Sequence, residues 1–230
     1  MNTPSVPTLL HIDDDLLLVH KPPGLPSHAT VDPGRDHLVA ATERLLRSQG
    51  IASELHLCHR LDRDTSGVVV FARSRAAAAA LGDAFAEREM DKRYLAICRV
   101  ESSLASRWDV DDHLRARKDG VVIAVRSGGD RASSRFRQLD REPPYALVEC
   151  RPMTGRRHQL RVHLADSGAP IVGDPVYGEP EHDQGVAPRL MLHAYRITLQ
   201  HPTTGQPLQV EAPMPADMRR VAERVGLVVE

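Results

Sequence analysis

A polar run, His59-Arg60-Leu61-Asp62-Arg63-Asp64-Thr65-Ser66-Gly67, leads straight into an apolar stretch from Val68 to Ala72. Two acids and two bases within six positions ordinarily make a solvated turn, but two further polar clusters also adjoin apolar runs. They are Lys92-Arg93-Tyr94-Leu95-Ala96 and Thr154-Gly155-Arg156-Arg157-His158-Gln159-Leu160-Arg161. Together the three supply a carboxylate, a phenol and a guanidinium. A carboxylate can attack an electrophile or take a proton, a phenol can exchange one, and a guanidinium can hold an anion. From residue types alone, a small hydrolase built on Asp62, Asp64 and neighbouring histidines stays open beside other acid–base chemistry.

Other chemistries find less support. Thr65 and Ser66 have no G-x-S-x-G elbow around them and are expected to satisfy backbone groups. Arg63 and Asp64 read as braces of the loop or as solvated charges. His56/His59 and His158/His163 lack an H-E-x-x-H arrangement and a nearby cysteine, so no metal is expected. The stretch from Gly168 to Gly178 has no G-K-[ST], which leaves a nucleotide cradle unsupported. Cys58, Cys98 and Cys150 form neither a disulfide framework nor a zinc knuckle and are each expected in the core.

The elements that must position these clusters are short and strand-rich. The 230 residues are 41% hydrophobic and 27% charged, the composition of a soluble globular protein rather than a disordered or fibrous one. No apolar run is long enough for a bilayer span. The opening MNTPSVPTLLHIDDD does not read as a secretory signal, so the cytoplasm is the default address. TLLHIDDDLLLVH suggests paired strands over 8–20, and KPPGLPSHATVDPGRD a loop. Leu38, Ala41, Leu45 and Leu46 fall at helical spacing. A strand over 67–73 feeds an alanine-rich helix that Ser74 caps and that runs to about Arg88. Arg93 to Val100 is a strand, and 120–152 suggests three antiparallel strands turning at Gly128-Gly129 and Pro143-Pro144. Residues 158–165 read as a helix with Gly168 after its end, 190–200 and 206–211 as a hairpin, and 215–226 as a closing helix. This is an α+β pattern, one mainly antiparallel, mixed sheet flanked by helices in a single domain.

Thirty basic side chains face 31 acidic ones, a formal charge of −1, so bulk charge does not suggest a nucleic-acid partner. Location does. Only Lys21, Lys92 and Lys118 are lysines, and although a GC-rich genome also enriches arginine, no acid lies between Glu149 and Asp166. Arg151, Arg156, Arg157 and Arg161 join His158 and His163 there, a local field that an RNA backbone would feel.

These segments, in this order, resemble the RNA pseudouridine synthases of the RluA family. IDDDLLLVHKPPGLPSH is similar to the family's first motif, HRLDRDTSG to the one around its catalytic aspartate, and KRYLA to the one with its active-site tyrosine. TGRRHQLRVHLADSGAPIVGDPVYG resembles the third block and LHAYRITLQHPTTGQPLQVEAP the C-terminal strand pair. The likeness runs from about Leu9 to Pro215, with 101–145 matching poorly. An extra N-terminal RNA-binding S4 domain, as many relatives carry, is not expected.

The resemblance implies a pseudouridine-synthase-like fold with its cleft across the sheet, and isomerisation of a uridine in structured RNA, transfer or large-subunit ribosomal, without any cofactor. Asp62 would be the reacting carboxylate, acting on sugar or base. Burial raises a carboxylate's pKa and a close guanidinium lowers it, and the resemblance supplies that cation as Arg161. Tyr94 would stack on uracil and could take the proton from carbon 5. Arg60 would fill the gap left by the flipped base, and Arg156, Arg157 and His158 would hold flanking phosphates. Lys21 could do likewise, or be a solvated loop residue. His59, Leu61, Thr65 and Gly67 support the first cluster, Gln159 and Leu160 the third. A monomer is the simpler expectation; a non-catalytic RNA-binding module on the same fold is the alternative.

Overall fold

The computed structural model describes residues 6–29, 32, 34–87, 89–100, 104–183 and 185–229. In chain order its elements are β1 (Thr8–Ile12), β2 (Leu16–Lys21), α1 (Leu38–Ser48), β3 (His56–Leu57), β4 (Ser66–Ala72), α2 (Arg75–Glu87), β5 (Asp91–Arg99) and β6 (Arg107–Ala116). There follow β7 (Val122–Val125), β8 (Asp130–Glu142), β9 (Tyr145–Pro152), α3 (Gln159–Asp166), α4 (Pro180–Asp183), β10 (Leu192–Gln200), β11 (Pro207–Glu211) and α5 (Ala216–Arg224). Parts of the expected 21–36 loop, at 30, 31 and 33, and the expected helix end at Arg88 lie outside the described residues. The fold is α+β. Its residues gather into two units, Met1–Lys92 with Ala194–Pro213, and Arg93–His193 with Met214–Glu230.

In the first unit β1 pairs with β2, β2 with β4, and β11 with β10, all antiparallel, while β10 neighbours β4. The Asp13 carboxylate makes the β1–β2 turn by accepting from the Asp15 and Leu16 amides. Leu16 and Leu18 of β2 and Val68, Val70 and Ala72 of β4 pack with Ala77 and Leu81 of α2 and with Ile197 and Leu199 of β10. Leu17, Val19, Val69 and Phe71 alternate onto the opposite face and are just as buried. A strand covered on both sides needs apolar residues at successive positions, hence the unbroken LLLV and VVVFA runs. Each such side chain contributes about 1.5–3 kcal/mol. The Ser74 hydroxyl accepts from the Ala77 amide at 3.1 Å, capping α2 as expected.

The second unit is an antiparallel meander in the order β5-β9-β8-β6-β7. Here the structure corrects the sequence reading: β6 is an additional strand and separates β7 from β8, which are consecutive in the chain. Its inward positions, Trp108, Val110, Asp112 and Leu114, include an aspartate that breaks the apolar alternation. Behind β5, β8 and β9, α3 contributes Leu160 and Leu164, and α5 Met218, Val221 and Ala222. Cys98 and Cys150 belong to that core, whereas Cys58 is only half-buried, at variance with the expectation for all three. Gly168 follows α3 with φ +74°, as its C-terminal stop requires.

Candidate active site

In the first unit the segment from His59 to Ser66 is fixed chiefly through its main chain. Lys21, at the end of β2, is 0% exposed, and its ammonium donates to the carbonyls of Pro22, Leu25 and Arg63 at 2.8–2.9 Å. The Arg63 carbonyl also accepts from the Gly24 amide at 2.9 Å. Ser27 holds Leu61 on both sides, donating from Oγ to its carbonyl at 2.8 Å and accepting from its amide at 3.1 Å. Asp62, between these anchors, is half-buried, and Arg60, just before them, is exposed. The Thr65 amide donates to the Asp62 carbonyl at 3.2 Å, closing a turn. Arg63 and Asp64 pair with each other near the surface, at 2.9 and 3.0 Å.

Behind this loop His59 accepts from the Val70 amide at 3.1 Å through Nε2, and its ring lies 5.0 Å from that of Phe85. Burial, and then the charge of Lys92, push its pKa down to about 3, so the imidazole is neutral. Gly67 begins the descent into β4 with φ +129°, and a Cβ there would lie 2.2 Å from the Ala194 carbonyl oxygen. Only glycine fits.

The second unit holds Arg161 by side chains. Its Nε and Nη2 each donate to a different oxygen of Asp174 at 2.7 Å, and both residues are buried. Asp174 Oδ1 also accepts from the amides of Val176 and Tyr177, at 2.9 and 3.1 Å. The Tyr177 ring lies 5.0 Å from the guanidinium carbon, close enough for a cation–π contact. Asp174 uses two of the five donors a guanidinium carries. The Tyr177 hydroxyl, which carries a proton, accepts from the Val122 amide at 2.8 Å and shares a hydrogen bond with Nδ1 of His158, 2.9 Å away. Burial raises the Tyr177 pKa, which keeps that proton in place.

His158 stands at φ 54°, the left-handed conformation, where the chain enters α3. Gln159 is buried: its Oε1 accepts from the Thr154 hydroxyl at 2.7 Å and the Arg156 amide at 3.0 Å, and its Nε2 donates to the Ser133 carbonyl and Ser134 hydroxyl. This clamp leaves Arg156 and Arg157 exposed on the surface. Tyr94, on β5, is half-buried and opposite Cys150 in register.

Two expectations change. Lys21 holds no phosphate, because its ammonium is enclosed and satisfied by carbonyls of the loop it organises. Thr65 satisfies the turn through its amide, while its buried hydroxyl has no hydrogen-bond partner among the described residues. Ser27, Asp174 and Tyr177 escape the residue-level reading. The GDPVYG segment lies inside the third motif, but nothing in its spacing says that Asp174 would meet Arg161. Among the described residues no group of three or more His, Cys, Asp or Glu is arranged to hold a metal ion. Nor, among the described residues, is any helix long and apolar enough to cross a membrane.

Residues 15–166 match the family described as RNA pseudouridylate synthase. The chain belongs to that family. It is 37% identical over 227 residues to the ribosomal large subunit pseudouridine synthase D of Xanthomonas campestris, covering 93% of this chain and 67% of that one. With the ribosomal large subunit pseudouridine synthase C of Vibrio vulnificus the identity is 34% over 219 residues, with coverages of 94% and 68%. Human RNA pseudouridylate synthase domain containing 4 superposes with a TM-score of 0.78 at 28% identity, over 96% of this chain and 94% of that one. As a pseudouridine synthase the protein is an RNA-modifying isomerase: uracil is cleaved from ribose at nitrogen 1, turned, and rejoined through carbon 5.

Proposed function

We propose that the target uridines lie in structured RNA, ribosomal or transfer, and that Asp62 is the carboxylate that acts on them. The names of the similar synthases C and D support large-subunit ribosomal RNA as the first substrate to test. The observation that carries the Asp62 assignment is the main-chain anchoring on either side of it, at Leu61 by Ser27 and at Arg63 by Lys21. A reacting group must be held within a fraction of an ångström. Anchoring the backbone on both sides fixes the point from which the Asp62 side chain projects.

In this reading a uridine leaves its stack at a cost of a few kcal/mol. Exposed Arg60 takes the vacated place by stacking its flat cation, while Arg156, Arg157 and His158 hold phosphates. Tyr94 lies against the uracil. Asp62 acts as the anion, on sugar or base, and Arg161 supplies a guanidinium. The Asp174 carboxylate and the Tyr177 ring support the guanidinium's orientation.

Asp62→Ala is expected to lower uridine isomerisation by about a thousandfold or more, while RNA affinity stays within about twofold of wild type. Retained turnover would exclude Asp62 as the reacting group. Mapping pseudouridine in total RNA from a strain lacking the gene identifies the substrate, and an unchanged map would count against the RNA assignment.

A further inference from the structure

The stretch that least resembles the family motifs contains β6, β7 and the turn joining them. That turn is well built: the Arg117 amide donates to the Val121 carbonyl at 2.7 Å and the Gly120 amide to the Arg117 carbonyl at 3.0 Å. Asp119 is held inside it, accepting from the Val121 amide at 3.1 Å and pairing with Arg117 at 2.8 Å. Arg115, Arg117 and Lys118 are all exposed there, with Asp119 the single acid among residues 115–121.

The hairpin is fastened to the start of α3. The Val122 amide donates to the Tyr177 hydroxyl, and Leu114, Val122 and Ala132 share an apolar cluster with Val162 of α3. A Cβ on Gly120 would lie 3.4 Å from Nη2 of Arg157, so that guanidinium rests against the turn. Arg156 donates from Nε to the Arg131 carbonyl at 3.2 Å. Cations about forty positions apart in sequence are thereby gathered on one face.

We propose that the tip of the β6–β7 hairpin is an RNA-backbone contact, extending the Arg156–Arg157 group onto the RNA that flanks the target uridine. The proposal rests on the preceding reading, in which those arginines meet phosphates. Chemistry favours a polyanion over a protein partner: the only apolar side chains in 115–121 are Ala116 and Val121, and no aromatic anchor of the kind that carries protein interfaces is present. Clustered cations without apolar anchors gain affinity by displacing counterions from phosphate.

The test is binding of a labelled, uridine-bearing RNA stem-loop transcript across a salt series. Removing both tip charges, in Arg117→Gln/Lys118→Gln, is expected to make the slope of log affinity against log salt shallower by about 1.5, and Lys118→Gln alone by about half that. The control is Arg219→Gln/Arg220→Gln on α5, which removes the same charge. Gly226, just after that helix, packs on Glu142, at the end of β8 about 40 Å from the hairpin end. The control is expected to keep the wild-type slope. An unchanged slope in the tip variants, or an equal change in the control, would overturn the proposal. Asp62→Ala, carried alongside, separates the two readings. Wild type that isomerises uridine while the tip variants keep their slope leaves only the hairpin assignment wrong; wild type that neither binds nor isomerises RNA removes the reading beneath it.

Discussion

His59–Ser66 in one unit and the start of α3 in the other both present charged side chains, yet Lys21 and Ser27 hold the first by its peptide groups, whereas Asp174 and Tyr177 hold Arg161 and His158 in the second through their side chains. Main-chain anchoring fixes a loop largely whatever its outward residues are. Side-chain anchoring fixes one functional group in one orientation, and makes that orientation depend on an exact carboxylate. The difference predicts where each half tolerates substitution.

The largest effect is expected from Gly67→Ala. A methyl group 2.2 Å from the Ala194 carbonyl, at a backbone angle reserved for glycine, forces β4 away from β10. A loss of about 4 kcal/mol or more in urea unfolding is expected; a loss below about 1 kcal/mol would mean that the loop does not depend on this close approach. Next comes Asp174→Ala, which leaves a buried guanidinium without its carboxylate, at about 3–5 kcal/mol. Lys21→Met leaves buried carbonyls without their donor, and about 2–4 kcal/mol is expected. If Lys21→Met proved harmless while Asp174→Ala did not, the contrast between the halves would fail on the main-chain side.

The last effect is one of pH. His59 has a folded-state pKa of about 3 against an ordinary 6.5. Between those values the unfolded chain takes up a proton that the folded one refuses, so stability falls as pH drops through that window and is fully present above it. The slope is at most about 1.4 kcal/mol per pH unit. Asp13 and Asp217, whose pKa values are lowered, lose their contributions only on further acidification, below about 3.8. Unfolding midpoints of wild type and His59→Gln should therefore diverge between about pH 6.5 and pH 4. Parallel curves would show that the ring behind the loop protonates freely.

Much of this arrangement could be read from residue order. Leu38 to Leu46 shows its helix by periodicity, Val68 to Ala72 its buried strand by an unbroken apolar run, and Ser74 and Gly168 their helix ends by local backbone chemistry. Asp62, Tyr94 and Arg161 stood out because they sit in motifs of a known family. What stayed hidden depends on distance along the chain or on mixed signals. β6 carries Asp112 in its inward register, so alternation did not reveal it. Lys21 preceded two prolines and looked like a solvated cation, because the carbonyls it meets come partly from Arg63, 42 positions later. Asp174 met Arg161 only through the fold.

The first unit is closed by residues 194–213, and Gly67 rests on the carbonyl of Ala194. A nascent chain on the ribosome has therefore synthesised the His59–Ser66 loop long before the strand that seats it exists. Until β10 emerges, one edge of β4 is open to any other extended segment, a recognised route to aggregation. A polypeptide stopped ahead of Ala194 is expected to pellet on centrifugation, and recovering it soluble and monomeric would show that the early strands protect themselves. Late arrival of this strand makes premature termination a hazard to the cell as well as a loss of enzyme.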